Sequence, residues 1–211
     1  MVFDLDGTLV DSRRDLAESA NAVLEYYGCR MHSEESIGRM VGDGAATLVR
    51  RAFAAAGCPQ PPDALERFLT IYNSRLLLFT RPYEGVREVL RELTTRAVLA
   101  VCTNKPREAT RRILDDLELA PYFGARVVAG DGPLPRKPSP AGLASLMRAA
   151  AVEPANTILI GDSVIDWETA RAASAHVCMA RYGFGFHGFP AERLTADDRV
   201  VDHPRELTAA L

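Results

Sequence analysis

The chain has 211 residues, enough for one large domain or two small ones around a real core. With 47% hydrophobic and 25% charged residues it reads as an ordinary globular protein, which excludes a disordered or fibrous chain. A net charge of −3 argues against a nucleic-acid binder, and no apolar run approaches the length of a membrane span.

The first predicted element is an apolar strand, Met1 to Phe3, which runs into Asp4 and Asp6. Residues two apart on a strand point the same way, so both acids emerge together where the strand ends. Gly7 allows a sharp turn there. Asp11 or Ser12 is expected to cap a helix from about Arg13, and Gly28 to stop it. Ser33 with Glu34 and Glu35 opens a short helix. The Gly42-Asp43-Gly44 loop precedes a helix to about Ala56. Asp63 to Leu78 reads as one more. Residues 12–80 therefore predict helices and no convincing strand.

From Thr80 onward strand and helix alternate. The predicted strands are Ala97–Thr103, Arg126–Ala129, Thr157–Ile160, His176–Ala180 and Arg199–Val201. Helices are expected between them: one to about Leu93, one from Pro106 to about Leu119, one from Ser139 to about Ala151, and one over Asp166–Ala173. Apolar strands alternating with helices imply a doubly wound, mostly parallel α/β sheet with helices on both faces. Residues 1–11 and 81–211 would form this sheet domain, and 12–80 a smaller helical one inserted after the first strand.

In open sheets of this kind, ligands bind beyond the carboxyl ends of the strands. The long strands deliver polar residues there: Asp4 and Asp6 from the first, Thr103 and Asn104 from the second, Asp162 from the fourth. Two close carboxylates need a proton or a cation between them. They point either to a hard metal such as Mg²⁺ or to a nucleophile beside a general acid. Taken alone, a polar strand end with surface acids serves equally. Of the 25 basic residues only Lys105 and Lys137 are lysines, so 23 are arginines, and two positions have resisted the bias. Cys29, Cys58, Cys102 and Cys178 form no CxxC pair and are expected to be reduced in a cytoplasmic protein without a zinc site. No basic segment followed by an apolar stretch opens the chain.

FDLDGTLVDS resembles motif one of the haloacid dehalogenase superfamily in its phosphatase form. VCTNKP resembles motif two, RKPSP motif three and GDSVID motif four. The resemblance implies a Rossmann-like sheet of order 3-2-1-4-5 carrying an all-helical cap. It implies Asp4 as the nucleophile that becomes an aspartyl-phosphate, and Asp6 as general acid, then base. Gly7, Thr103, Asn104 and Lys137 would bind the phosphoryl group. Asp4, the Asp6 backbone carbonyl and Asp162 would hold Mg²⁺, with Asp166 supporting that shell. An acid at position 6 speaks against a dehalogenase, and the absence of lysine from 12–80 speaks against a phosphonatase.

VGDGAATLVRRA, RPYEGVREVLREL, TNKPREATRRIL and ARYGFGFHG further resemble the bacterial phosphoglycolate phosphatases. That implies a Mg²⁺-dependent phosphatase acting on a small phosphorylated metabolite, 2-phosphoglycolate first. The partner set is then the metabolite alone, with no nucleic acid or membrane, in a monomer or homodimer. Another sugar phosphate or nucleotide, a phosphomutase, or a non-catalytic regulator on the same fold are the alternatives. Gly42, Asp43 and Gly44 either let backbone amides approach a carboxylate or form a plain helix-connecting turn. Three departures from the family pattern stand out. Only three residues precede Asp4, which implies a truncated or unusual start. Ile165 replaces a frequent Asn, and Ser174 a frequent Gly.

Overall fold

Alternate residues of each central strand face opposite apolar layers, and this is what buries the sheet. The computed structural model describes all 211 residues. Its strands are β1 Val2–Phe3, β2 Val10–Asp11, β3 Arg81–Pro82, β4 Ala100–Cys102, β5 Val127–Val128, β6 Ile158–Gly161, β7 His176–Ala180 and β8 Arg199–Val201. The main sheet is parallel, in the order β5-β4-β1-β6-β7-β8. This is the expected order, with β8 added at the edge beside β7. Central β1 aligns Val2 with Ala100 and Leu159, and Phe3 with Val101 and Ile160.

Val2, Ala100, Leu159 and Val177 join one apolar layer with Leu143 and Met147. Phe3, Val101, Ile160 and Cys178 join the other, which continues without a break into Leu16, Leu24, Phe53 and Phe68 of the helical segment. Side chains of period two thus feed two cores from one sheet.

The helices are α1 Arg13–Tyr26, α2 Glu34–Gly38, α3 Ala45–Ala56, α4 Ala64–Arg75, α5 Val86–Leu93, α6 Arg107–Asp116, α7 Ala120–Phe123, α8 Ala141–Ala150, α9 Val164–Ala172 and α10 Leu207–Ala210. None is long and apolar enough to cross a membrane. Between β1 and α5 the chain contributes α1 to α4, as expected.

One local expectation, that of four reduced cysteines, is corrected, and the crossings into and out of the helical segment hold detail that sequence pattern does not show. Val10 pairs with Pro82 and Asp11 with Arg81 in a short antiparallel ribbon. Two-residue strands carry no periodicity, so sequence pattern does not register them. Beside the ribbon, the fully buried Asp15 of α1 accepts bonds from the backbone N–H of Phe79 and Thr80 and from the Thr80 hydroxyl. The returning chain is therefore tied to the start of α1.

Ser12 stands at the N-terminus of α1 but makes no side-chain cap; its hydroxyl donates to Asp6 at 2.6 Å. Asp11 instead accepts from the Arg13 N–H at 3.1 Å. Cys29 and Cys58 are not free thiols but a disulfide, with Cα atoms 6.3 Å apart. Each follows a glycine that ends α1 or α3 in the left-handed region, and the two helix ends lie together. That proximity is tertiary and leaves no spacing signal. Cys102 and Cys178 are free and buried, as expected. Ser174 takes a φ of 54° just beyond the end of α9.

Candidate active site

Asp4 follows β1 directly, and its N–H still donates to Ile160 across the sheet at 2.9 Å. The chain then turns back, with the Leu5 carbonyl accepting from the N–H groups of Thr8, Leu9 and Val10. Gly7 makes that turn at φ 86°, and a Cβ there would land on the Asp162 carboxylate. Glycine is thus required both by conformation and by space. Asp162 is closed off from the far side by residues 182–185. Gly185 N–H donates to Asp162 at 2.7 Å, and a Cβ on Gly183 would strike the same side chain. The Tyr182 hydroxyl donates to the Thr8 carbonyl at 2.9 Å, holding this loop to motif one.

Lys137 lies among the acids. Its Nζ is 2.9 Å from Asp4 Oδ1 and 2.5 Å from Asp166 Oδ1, with its side chain 3% exposed. Asp166 also accepts from the Ser163 N–H and hydroxyl, forming a capping box at the start of α9. Asp166 thus caps α9 and at the same time meets the Lys137 ammonium. Burial pushes the Asp4 carboxyl up to about 6; Lys137 pulls against this, and the charge of Asp166 adds to it. Burial, with Asp166 and Asp4 nearby, lifts Asp162 well above the usual carboxylate range. Burial lowers the Lys137 ammonium, but Asp166 and Asp4 outweigh it, so the net shift is upward.

Carboxylate oxygens of Asp4, Asp162 and Asp166 all lie within 4.8 Å of one another. A single ammonium faces these three buried acids, and Asp4 Oδ1 receives no hydrogen bond in spite of its ion pair. Oxygen donors with surplus negative charge fit a small hard cation such as Mg²⁺. Asp166 belongs to this cluster itself and is not merely behind it. The Asp6 carboxylate is outside it, held by Ser12 and Lys105.

Thr103 is buried after β4, and its Oγ1 accepts from the Lys105 N–H at 3.2 Å. Asn104 is tied in by its side chain. Nδ2 donates to the carbonyls of Gly42 and Lys137, and Oδ1 accepts from the Lys137 N–H, each at 2.9 Å. Lys105 is buried as well. Its Nζ donates to both Asp6 oxygens, at 2.8 and 3.0 Å, and to the Tyr72 hydroxyl of α4. Burial lowers its ammonium, but Asp6 and Tyr72 outweigh this and raise it. Burial likewise pushes the Tyr72 phenol up to about 12. Lysine scarcity was the signal for both lysines, but it does not separate their partners.

A cavity of about 280 Å³ opens between the strand ends and the helical segment. Asp4, Asp6, Thr103 and Lys105 floor it, and Leu48 and Phe68 of α3 and α4 roof it. Gly42 and Gly44 line its side, with φ of 122° and 87°. Asp43 does not line it and is ion-paired with Arg51 at 2.6 Å. Ile165 packs beside the same loop, 3.9 Å from where a Gly42 Cβ would stand. Arg136, which sequence reasoning passed over, lines the cavity near Gly44, donates to the Gly130 carbonyl at 2.5 Å, and has no carboxylate partner.

Residues 1–180 match the model of the haloacid dehalogenase-like hydrolases. The phosphoglycolate phosphatase of Rhodospirillum rubrum is 39% identical over 193 residues, covering 87% of this chain and 80% of its own. That of Caulobacter vibrioides is 37% identical over 202 residues, covering 93% and 84%. The crystal structure of a predicted phosphoglycolate phosphatase from Haemophilus somnus superposes with a TM-score of 0.87 at 28% identity, over 99% of this chain and 95% of the other. With the family model spanning residues 1–180 and relatives this similar over most of their length, the chain belongs to the haloacid dehalogenase-like hydrolases.

Proposed function

We propose that the chain hydrolyses a small phosphomonoester, 2-phosphoglycolate, through an aspartyl-phosphate on Asp4. The observation that carries this reading is Asp4 and Asp6 together on the floor of one cavity, with the buried Lys137 ammonium 2.9 Å from Asp4. An Asp4 oxygen attacks phosphorus as the bond to the glycolate oxygen breaks. Asp6 gives its proton to that leaving oxygen. Asp6 then takes a proton from water, whose oxygen attacks the same phosphorus and frees Asp4. Thr103, the backbone amides of Gly7 and Asn104, and the Lys137 ammonium would hold the phosphoryl oxygens.

Asp4, Asp162 and Asp166, with the Asp6 carbonyl, would hold Mg²⁺, which when bound neutralises charge on the phosphoryl group. Residues 1–11 and 81–211 act as the catalytic domain and 12–80 as a cap that shuts water out. The small cavity and the unpaired Arg136 on its wall support a compact substrate with a carboxylate beside its phosphate. The names of the two bacterial relatives support the same substrate.

The test is phosphate release from a set of small phosphomonoesters with Mg²⁺, for the wild type, Asp4→Asn and Arg136→Ala. Turnover of 2-phosphoglycolate that vanishes in Asp4→Asn is expected, with KM raised in Arg136→Ala. Lack of release from every ester would overturn the reading.

A further inference from the structure

Tyr72 belongs to α4 in the helical segment, yet it is one side chain away from the acid that ends β1. The intermediary is Lys105. An ammonium has three protons, and Lys105 has three acceptors: Asp6 Oδ1 at 2.8 Å, Asp6 Oδ2 at 3.0 Å and Tyr72 Oη at 2.5 Å. Two of these anchors are the carboxylate itself. The third comes from a segment that enters between β2 and β3.

The hydroxyl is placed firmly. The Tyr72 ring stacks on Phe68 of the same helix, with centroids 5.6 Å apart and planes 9° from parallel. Lys105 and Asp6 side chains are 3% and 12% exposed, so little water competes for the ammonium. Ser12 fixes the other side of Asp6 Oδ1 at 2.6 Å. With Ser12 and Lys105 both in place the carboxylate has one orientation. Without Tyr72 the lysine keeps its charge but loses the anchor that sets its position.

We infer that Tyr72 is a positioning residue for proton transfer: its hydroxyl, brought down by the helical segment, holds Lys105 against Asp6 and so aligns Asp6 with the leaving oxygen. This deepens the phosphatase reading and rests on it. In the acid form one Asp6 oxygen carries the proton while the Lys105 ammonium stays on the other; that proton passes to the leaving oxygen as the phosphorus–oxygen bond breaks. Lys105 and Tyr72 exchange no proton. A buried phenol needs some hydrogen-bond partner in any case, so the contact alone does not distinguish a packing role from this one. Its consequence for leaving groups does.

The experiment measures kcat/KM of wild type and Tyr72→Phe, with Mg²⁺, on aryl phosphates of similar size, from phenyl to dinitrophenyl. Tyr72→Phe keeps the ring and its stack. The phenyl ester, whose leaving oxygen needs a proton, should lose about tenfold, a fraction of a full general-acid contribution. The dinitrophenyl ester, which leaves as a stable anion, should stay within about twofold. Lys105→Gln, cutting the link from its other end, should steepen the same dependence.

An equal loss along the series, or no loss, would overturn the inference and leave Tyr72 a packing residue. If the wild type releases phosphate from neither these esters nor 2-phosphoglycolate, the phosphatase reading fails first, and this inference with it; if it releases phosphate from 2-phosphoglycolate alone, the inference stands or falls on whether Tyr72→Phe lowers kcat on that ester without changing KM.

Discussion

Asn104, at the end of β4, and Gly42, in the loop before α3, are joined by a 2.9 Å hydrogen bond from the side-chain amide to the backbone carbonyl. The same amide group holds the backbone of Lys137 on both sides. One residue thus fixes the loop of the helical segment and the loop that carries the central cation.

Asn104→Ala should therefore fail in two separable ways. Buried partners left without hydrogen bonds cost about 1–3 kcal/mol, so the melting temperature should drop. Loosening Lys137 should lower kcat, and loosening Gly42 should raise KM. An error of about 1 Å at such a centre costs about 10²-fold. Melts and steady-state kinetics on one preparation check both. A stable variant with unchanged kcat and KM would show that the strut is dispensable.

Gly7→Ala is expected to hit the cation site. The new Cβ would displace the Asp162 carboxylate, and the φ of 86° disfavours any side chain. Mg²⁺ affinity should fall by at least about tenfold, the loss commonly seen when the support of a metal ligand is removed. Calorimetric titration with Mg²⁺ measures this directly. Wild-type affinity in Gly7→Ala would remove Asp162 from the proposed ligand set.

The raised acids predict a pH dependence with a definite sign. Burial pushes Asp4 up to about 6 and lifts Asp162 well above its usual range. The metal-free folded chain then holds protons that the unfolded chain has already released. Its stability should fall as pH rises from the ordinary carboxylate value toward 6. A cation takes these carboxylates only after the protons leave, so Mg²⁺ affinity should rise through the same window and binding should release protons. Titrations in buffers of different ionisation enthalpy count those protons. Affinity independent of pH between about 5 and 7 would contradict the assignment.

How much of this is legible in the sequence depends on how local each feature is. Asp4, Thr103 and Asp162 follow apolar runs, so their place at strand ends comes from chain order alone. The parallel sheet follows from alternation, and only its sixth strand had no place in the expected order. The Lys105–Tyr72 contact joins residues of separate segments, and nothing in Tyr72's neighbourhood marks it apart from a helical core position. Cys29 and Cys58 are 29 residues apart and meet because two helix ends do. Pairing of Val10 with Pro82 is shorter than any period. Features set by tertiary approach were invisible for that reason, whereas those set by strand termination were not.

Lys137 should not tolerate arginine, although Arg136 precedes it and arginine fills 23 of the 25 basic positions. Its ammonium stands 2.9 Å from Asp4 and 2.5 Å from Asp166, in a space that leaves 3% of the side chain exposed. A point charge can face two acids on different elements at once. A guanidinium is planar and wider, and favours a two-pronged grip on one carboxylate. In Lys137→Arg the fork would seize Asp166 or Asp4, and either choice turns Asp4 away from the attacked phosphorus. Charge is kept, so the acids stay compensated and the fold should survive with a modest fall in melting temperature. Turnover should fall by about 10²-fold, the cost of roughly 1 Å of misplacement. Lys105→Arg is no inert control, because Lys105 holds Asp6. The proper companion is a phospho-enzyme trap on Lys137→Arg itself, which should accumulate less aspartyl-phosphate. If turnover stays within a few-fold of wild type, the site does not need a compact cation, and the scarcity of lysine has another origin.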